Sequence, residues 1–334
     1  MPLPPTSSGI GRSSINNLPR AAKTVSKKSP RKGKAVGQSL TQLVVGPLGR
    51  LSTSKIGGLA VPTLGGRQFW SDRLVYGGWR IQENFLTGHS RLLDAGNVRR
   101  TWGTFAHCVK CFEERRGLHG LRHDREHVVV MVHGLLKAHG MFRSLGKWLA
   151  ARGTDSLSFT YASTRHSLNG HAKALAEVMG HLGDVASVTF VTYSLGALVV
   201  RKALTRVRWR RKVHVRGLFM IAPPNRGARL AEVVLKGPAR WLLAPVAMDL
   251  MPVRAKRLAR PDVPYAIIAG GTGKAKGFNR FLTGDNDGFV TVAETRLSPV
   301  DDLVLVRAPH GLLVNHRTTK RALARFLAGL PIAD

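Results

Sequence analysis

The strongest constraint on the fold is the alternation of apolar runs and amphipathic segments after residue 127. The first run, VVVMV at 128–132, is apolar at every position, which indicates a strand buried on both faces of a sheet. The next segment, MFRSLGKWLAARG, predicts a helix that ends at Gly153. This alternation predicts an α/β fold with a mostly parallel central sheet, helices on both faces and right-handed crossovers.

Further segments continue the same pattern to the end of the chain. The predicted strands are SLSFTYA, SVTFVTY, VRGLFMIA, VPYAIIAG and LVLVRA. The predicted helices are SLNGHAKALAEVMGHLG, with Ser167 as its cap, then LGALVVRKAL and RTTKRALARFLAGL. Residues 127–334 are therefore expected to form one large domain.

The residues before 127 differ in composition from this domain. Residues 1–60 are rich in Ser, Pro, Gly and Lys and lack Asp and Glu, so we expect a disordered basic tail. Residues 61–126 read as a hairpin followed by a helix, with Asn97 as the helix cap, packed on the edge of the sheet.

The charge of the chain bears on its partners. A formal net charge of +33 favours association with anionic surfaces, of which nucleic acid and an anionic membrane are the two candidates. The sequence contains no DNA- or RNA-binding motif, which disfavours nucleic acid. With two cysteines, no membrane-spanning apolar run and no secretory signal, we expect a cytoplasmic protein, with peripheral membrane attachment as the alternative. The oligomeric state is left open.

The cysteines raise the question of a metal. Cys108 and Cys111 precede His119 and His123, but the central spacer is shorter than in zinc fingers. We therefore expect two thiols on a buried helix face, and no metal.

Ser194 lies between a predicted strand and a predicted helix, in the stretch TYSLG. A nucleophile elbow reads G-x-S-x-G and holds its serine in a strained turn, so the flanking positions must be small. Gly196 meets this requirement, whereas Thr192 is larger than the expected glycine. An ordinary N-cap is the alternative interpretation of Ser194.

A catalytic serine needs a histidine that accepts its proton and a carboxylate that orients the histidine. Asp287 and His310 follow the last two predicted strands, in the chain order Ser, Asp, His. Asp285, in the same loop as Asp287, is an alternative acid. His316 reads as the start of the final helix rather than as the base.

The reaction also needs backbone N–H groups directed at the negative oxygen of the intermediate. Leu195, directly after the serine, supplies one candidate. Leu135, in His133-Gly134-Leu135 after the first buried strand, supplies the other. His133 itself is expected to be structural.

These motifs together resemble the α/β-hydrolase superfamily, and within it small bacterial lipases and esterases with a short cap. The similarity covers VVVMVHGLLKAHG, FVTYSLGALVVRKAL, MIAPPNRGA, NDGFVTVAETRL and PHGLLV. The resemblance implies a serine hydrolase that cleaves carboxylic esters through Ser194, His310 and Asp287, with no cofactor. Thr192, Tyr193 and Ala197 depart from the residues usual in such lipases and leave the shape of the acyl pocket open.

Residues 225–261 are expected to form the cap over the site. Its apolar side chains beside several arginines suit an ester or lipid substrate near an anionic membrane, or else a helix packed on its own core. The predicted substrate-binding residues are Tyr193, Trp241, Leu242 and Met248. Two other functions stay open: an acyltransferase with the same triad, and a basic binding protein on a hydrolase scaffold.

Overall fold

The computed structural model describes residues 53–56, 59–62, 68–120, 126–182, 184–237, 246–299, 301 and 303–333 of the chain. Its first elements are two short antiparallel strands, β1 (Thr53–Ile56) and β2 (Leu59–Pro62). The predicted tail lies outside the described residues up to residue 52. Its last residues belong to this strand pair, which corrects the boundary predicted at residue 60. Composition alone misses the pair because its backbone hydrogen bonds form between strands.

The segment after this pair is a four-stranded antiparallel sheet followed by a helix. The strands are β3 (Trp70–Tyr76), β4 (Trp79–Asn84), β5 (Ser90–Leu93) and β6 (Arg99–Gly103), and the helix is α1 (Phe105–His119). The predicted hairpin corresponds to β3 and β4.

The predicted helix start at Asn97 is wrong. Residues 99–103 pair with β5 as an edge strand, and α1 begins only after them. Thr104 is the N-cap of α1, because its hydroxyl accepts a hydrogen bond from His107 N at 3.2 Å. The extension therefore contains two strands that the sequence did not predict.

Buried apolar and ionic contacts hold the extension together and join it to the rest of the chain. Cys108 is fully buried in the apolar core of the extension, as expected, and burial raises the pKa of its thiol. Asp72 is also fully buried, where its carboxylate accepts hydrogen bonds from Arg80 and from Thr160 N. Thr160 directly follows strand β8 (Asp155–Phe159), so the extension contacts this strand's end.

The central sheet consists of β8 and five further strands. These are β7 (His127–Val132), β9 (Ser187–Tyr193), β10 (His214–Ile221), β11 (Tyr265–Gly270) and β12 (Leu303–Val306). All neighbours are parallel, in the order β12-β11-β10-β9-β7-β8. The predicted parallel sheet is confirmed. The strand order reverses between β7 and β9, which places a crevice at their carboxyl ends.

Helices cover both faces of this sheet, as predicted. The described helices that follow β7 in the chain are α2 (Arg143–Ala150), α3 (Leu168–Gly180), α4 (Leu195–Leu204), α5 (Val207–Arg210), α6 (Leu230–Lys236), α7 (Pro252–Ala255), α8 (Val292–Thr295) and α9 (Arg317–Leu327). Short 3₁₀ helices cover His139–Phe142 and His310–Asn315.

The two faces of β7 explain its continuous apolar run. Val128, Val130 and Val132 pack in one core with α3 and α4. Val129 and Met131 pack in the other core, with α2 and α9. Because successive side chains of a strand point to opposite faces, a strand between two cores is apolar at every position.

The segment predicted as the cap packs on the core of the domain in its described parts. Residues 246–250 are helical, and Val246 and Ala255 are buried in the same core as α3 and α4. Arg201 of α4 donates hydrogen bonds to the carbonyl oxygens of Leu258 and Ala259. In these parts, the core-packed alternative therefore describes the segment better than a free lid.

The described residues include no helix that is both long enough and apolar enough to cross a membrane.

Candidate active site

Ser194 occupies the turn between β9 and α4. Its backbone has φ 53° and ψ −123°, a conformation that residues other than glycine rarely adopt. Its side chain does not cap α4, which argues against the N-cap interpretation. The turn is held by a hydrogen bond from Ser194 N to Ile221 O of β10, at 2.8 Å. The backbone is therefore that of a strained strand-to-helix elbow.

Two glycines allow neighbouring loops to approach this elbow. A Cβ atom on Gly196 would lie 2.3 Å from Val132 O, so α4 can pack against the end of β7 only with glycine here. A Cβ atom on Gly134 would lie 3.0 Å from the Cβ atom of Ser194. The loop after β7 is therefore in close contact with Ser194.

His310 and Asp287 are joined by their side chains and by their backbones. His310 Nδ1 lies 2.6 Å from Asp287 Oδ2, and His310 N donates to Asp287 O at 2.8 Å. Asp287 is 1% exposed, and its Oδ1 accepts hydrogen bonds from Phe289 N and Val290 N. Each carboxylate oxygen thus has partners, and one of them is directed at the imidazole.

The alternative acid, Asp285, is directed elsewhere. Its carboxylate accepts hydrogen bonds from the backbone N–H groups of Thr272 and Gly273, at 2.8 and 2.9 Å. It closes the loop after β11 on itself. Of the two candidate acids, the structure brings only Asp287 to His310.

Aromatic side chains lie against His310 on two sides. The ring centroid of Tyr193 is 4.8 Å from that of His310, and the Tyr193 hydroxyl donates to His310 O at 3.1 Å. The ring centroid of Phe289 is 5.3 Å away. Tyr193 is the residue directly before Ser194, so its contact links the serine turn to the histidine loop.

No hydrogen bond joins Ser194 and His310, both of which belong to the described part of the chain. Because His310 Nδ1 is hydrogen-bonded to Asp287, Nε2 is the imidazole nitrogen that can accept a proton. Such hydrogen bonds are often long in ligand-free enzymes and shorten when substrate binds.

Two backbone N–H groups next to Ser194 are available. Within the described residues, neither Leu135 N nor Leu195 N donates a hydrogen bond, whereas Leu136 N donates to Ser163 Oγ at 3.0 Å. Leu195 is the first residue of α4, where helical N–H groups have no intrahelical acceptor. Both positions predicted to bind the oxyanion therefore have a free donor beside the serine turn.

Gln68 of the extension supports the loop that contains Leu135, directly and through Ser163. Ser163 Oγ, which accepts from Leu136 N, donates to Gln68 Oε1 at 3.1 Å. Gln68 Nε2 donates to Lys137 O at 3.4 Å. No sequence pattern indicated this link, because Gln68 and Ser163 are 95 positions apart.

His133 has the structural role that was predicted. It is fully buried, Nδ1 bonds Gly134 O at 2.8 Å, and Nε2 accepts from Tyr161 N at 3.2 Å. Burial lowers its pKa to about 4, so the ring is neutral at pH 7. His316 is likewise confirmed as the start of α9, because its Nδ1 accepts from Thr318 N at 3.2 Å.

The predicted substrate-binding residues have different outcomes. Tyr193 is 2% exposed and bonded to the His310 backbone, so it supports the histidine and presents no surface to a substrate, contrary to the prediction. Its burial also raises the pKa of the phenol. Trp241 and Leu242 lie outside the described residues. Met248 is 40% exposed on the segment predicted as the cap.

Two cavities lie beside the loops after β10 and β11. The larger, about 590 Å³, is lined by Arg226, Asp285, Thr291 and Arg296, and the smaller, about 300 Å³, by Arg201, Arg226, Lys256 and Arg260, among others. Neither is lined by Ser194, Asp287 or His310, so neither is assigned to an acyl group. Among the described residues, no cluster of three His, Cys, Asp or Glu side chains could hold a metal ion.

No protein-family model and no curated protein matches the sequence. Several solved structures are similar. The propeptide form of lipase BlEst2 from Bacillus licheniformis has a TM-score of 0.51 and 20% identity, over 64% of this chain and 52% of that chain. The mature form of the same lipase has a TM-score of 0.49 and 19% identity, over 61% of this chain and 91% of that chain.

A third similar structure is phospholipase PlaB from Legionella pneumophila, with a TM-score of 0.48 and 17% identity, over 59% of this chain and 56% of that chain. The chain thus spans about half of the phospholipase and of the propeptide-form lipase. Identities of this size establish the fold and no more. Together with the parallel sheet and the elbow after β9, the similarity to the propeptide-form lipase shows that this chain has the α/β-hydrolase fold.

Proposed function

We propose that the chain is a serine hydrolase that cleaves carboxylic esters, with Ser194 as nucleophile, His310 as base and Asp287 as the acid that orients His310. The observation that carries the proposal is the strained turn at Ser194, with a His310–Asp287 pair held beside it through Tyr193. Strain at a non-glycine residue persists only where the surrounding structure enforces it, which is common at active sites. The lipase and phospholipase with similar folds support the same reaction class.

In the proposed reaction, His310 Nε2 accepts the hydroxyl proton of Ser194 while Ser194 Oγ attacks the ester carbonyl carbon. The Leu135 and Leu195 N–H groups bind the resulting oxyanion. Asp287 stabilises the imidazolium, which then protonates the leaving alcohol as the C–O bond breaks. Water, deprotonated by His310, attacks the acyl-enzyme, and the acid is released as Ser194 regains its proton.

Fluorophosphonate labelling and ester hydrolysis test the proposal together. We expect the probe to modify Ser194, and Ser194→Ala to lower kcat for p-nitrophenyl butyrate by at least about 10⁴-fold. Ser144 is an exposed serine on α2, and Ser144→Ala is the matched control. This variant should still be labelled by the probe and should still hydrolyse the ester. Labelling of another residue, or full activity in correctly folded Ser194→Ala, would exclude the proposed nucleophile.

Reactions with added alcohols identify the acceptor of the acyl group. If the chain is a hydrolase, water is the main acceptor of the acyl group. An added alcohol should then lower the rate of acid release only by the amount of new ester that forms. If the acyl group goes almost entirely to an alcohol in dilute aqueous solution, the chain is an acyltransferase with the same nucleophile.

A further inference from the structure

Three phenylalanines are exposed on one loop beside the proposed active site. Phe278, Phe281 and Phe289 belong to residues 272–289, which follow β11 and which we call the aromatic loop. Phe281 is 84% exposed and Phe289 is 56% exposed. Exposed apolar side chains grouped on one loop mark interaction sites more often than scattered ones do.

Hydrogen bonds from inward-directed polar side chains hold the backbone of the aromatic loop. Asn286 is fully buried, and its amide donates to Asn279 O and Gly284 O, while its Oδ1 accepts from Asn279 N and Gly288 N. Asp285 closes the other end of the loop on Thr272 and Gly273. These bonds fix the backbone in a conformation that leaves the phenylalanine rings exposed.

The outward charges of the loop are all positive. Lys274, Lys276 and Arg280 are exposed, and none forms a salt bridge within the part of the chain that the structure describes. Arg280 lies over the ring of Phe281, 5.2 Å from its centroid. The two acidic residues of the loop are directed inward, Asp285 to the loop backbone and Asp287 to His310.

The loop adjoins His310. Phe289 contacts the His310 ring, and Leu312, two residues after His310, is 63% exposed. Strands β9, β11 and β12 are parallel, so the loops that follow them begin at the same end of the sheet. The aromatic loop and Ser194 therefore both follow carboxyl ends of strands at that end. Phe289 therefore joins the aromatic loop to the proposed base.

We propose that the aromatic loop docks on an anionic lipid bilayer, with Phe278 and Phe281 inserted at the interface and Lys274, Lys276 and Arg280 against the headgroups. Apolar rings next to cations suit such an interface, because insertion and headgroup attraction act together. A partner protein with an acidic surface would attract the same cations, and it is distinguished from a bilayer by whether the rings enter the lipid. The consequence for catalysis, ester hydrolysis at a lipid surface, rests on the proposed function, whereas the docking does not.

Sedimentation with vesicles tests the insertion. We expect full-length Ser194→Ala protein to bind phosphatidylcholine vesicles that contain phosphatidylserine, and Phe278→Ser/Phe281→Ser in that background to bind at least about tenfold more weakly. Leu86→Ser/Leu118→Ser removes two exposed leucines of the extension and is the matched control, with no expected loss. Equal binding by all three proteins would overturn the proposal, and would assign the membrane affinity to the basic charge of the chain as a whole.

The charges are tested separately. Lys274→Gln/Lys276→Gln should weaken binding to vesicles with phosphatidylserine by about fivefold per charge removed, with a much smaller effect on vesicles of phosphatidylcholine alone. Arg208→Gln/Arg211→Gln removes two exposed cations, one in α5 and one directly after it, and should have less effect. An equal loss in both variants would contradict a local role for the loop cations.

Depth measurement identifies the inserted residue. Phe281→Trp should show quenching by brominated phosphatidylcholine in vesicles, beyond that of the parent protein. If Phe281→Trp is not quenched while the protein is vesicle-bound, the loop does not insert. Self-association that depends on Phe278 and Phe281 without vesicles would assign the loop to a second copy of this chain instead.

Hydrolysis assays keep the two proposals apart. Phe278→Ser/Phe281→Ser with an intact Ser194 should hydrolyse soluble p-nitrophenyl butyrate at the rate of the parent, and lose activity only on esters presented in anionic vesicles. Vesicle binding without any hydrolysis would reject the proposed function and leave the docking surface standing. Soluble ester hydrolysis with vesicle binding unaffected by the phenylalanine substitutions would do the reverse.

Discussion

His310 and Asp287 are held together twice, by the 2.6 Å contact between Nδ1 and Oδ2 and by the 2.8 Å hydrogen bond from His310 N to Asp287 O. The backbone bond fixes where the loop after β12 meets the loop after β11. The side-chain contact then fixes which imidazole nitrogen is free. An orienting carboxylate of this kind selects the tautomer that can accept a proton from the nucleophile.

Asp287→Asn is therefore expected to preserve the loop contact and to lower kcat by about 10³- to 10⁴-fold, because an amide stabilises the wrong tautomer and no imidazolium. Asp285→Asn is the matched control two residues earlier. It should reduce thermal stability, because the amide keeps only one of the two oxygens that accept from Thr272 N and Gly273 N, and leave kcat within a few-fold of the parent. Steady-state hydrolysis of p-nitrophenyl butyrate measures both, and a larger kcat loss for Asp285→Asn would reassign the acid.

Gly196→Ala should destabilise the protein, because its Cβ atom would lie 2.3 Å from Val132 O. The expected loss in the free energy of unfolding is about 1–3 kcal/mol, as for overpacked sites. Gly180→Ala, at the end of α3 with no atom within 4 Å of the added Cβ, should instead stabilise the protein by about 0.5–1 kcal/mol. Urea denaturation compares the two, and an unchanged midpoint for Gly196→Ala would refute the close packing of α4 on β7.

Ser163→Ala should lower kcat by about tenfold with little change in KM, because it removes the acceptor that holds Leu136 N beside the proposed oxyanion donor. Gln68→Ala should have a smaller effect in the same direction. Thr205→Ala, which removes a hydroxyl bond to Lys202 O at the end of α4, should leave kcat unchanged. A kcat for Ser163→Ala equal to that of the parent would show that the hydrogen bond to Leu136 N has no role in catalysis.

Acid should destabilise the protein through two buried histidines. Burial lowers the pKa of His133 to about 4 and of His171 to about 3, and His171 Nε2 has no hydrogen-bond partner among the described residues. The unfolded chain, with a histidine pKa near 6.5, therefore binds more protons than the folded chain between pH 6.5 and these lower values. The free energy of unfolding therefore has its full value above pH 6.5. It decreases below pH 6.5, by up to about 1.4 kcal/mol per pH unit for each histidine.

Urea midpoints between pH 7 and pH 4.5 test this dependence. His171→Leu should show a shallower loss of stability on acidification than the parent, since it removes one of the two groups. His214→Gln, at an exposed position of β10, should follow the parent. Parallel pH profiles for His171→Leu and the parent would show that His171 is not the group responsible.

The sequence by itself determined the parts of the protein that depend on local pattern. Strand β9 and helix α4 lie at the residues predicted, because each is an apolar run and the turn at Ser194 separates them. The cap at Ser167 and the start of the final helix at His316 were also predicted, since helix starts depend on residues only two or three positions apart. The places of Ser194, Asp287 and His310 after three different strands were also predicted.

Only the tertiary structure decided which of these groups meet. Asp285 and Asp287 are equivalent in the sequence, and the packing of two loops directs one to its own loop and the other to His310. Tyr193 was expected to contact substrate, but the position of the histidine loop buries it. The link from Gln68 to the loop of Leu135 likewise depends on docking across a long separation. The start of α1 after Thr104 depends on the pairing of β6 with β5. Such contacts have no period along the chain, because their energy comes from surfaces that come together only when the sheet is assembled.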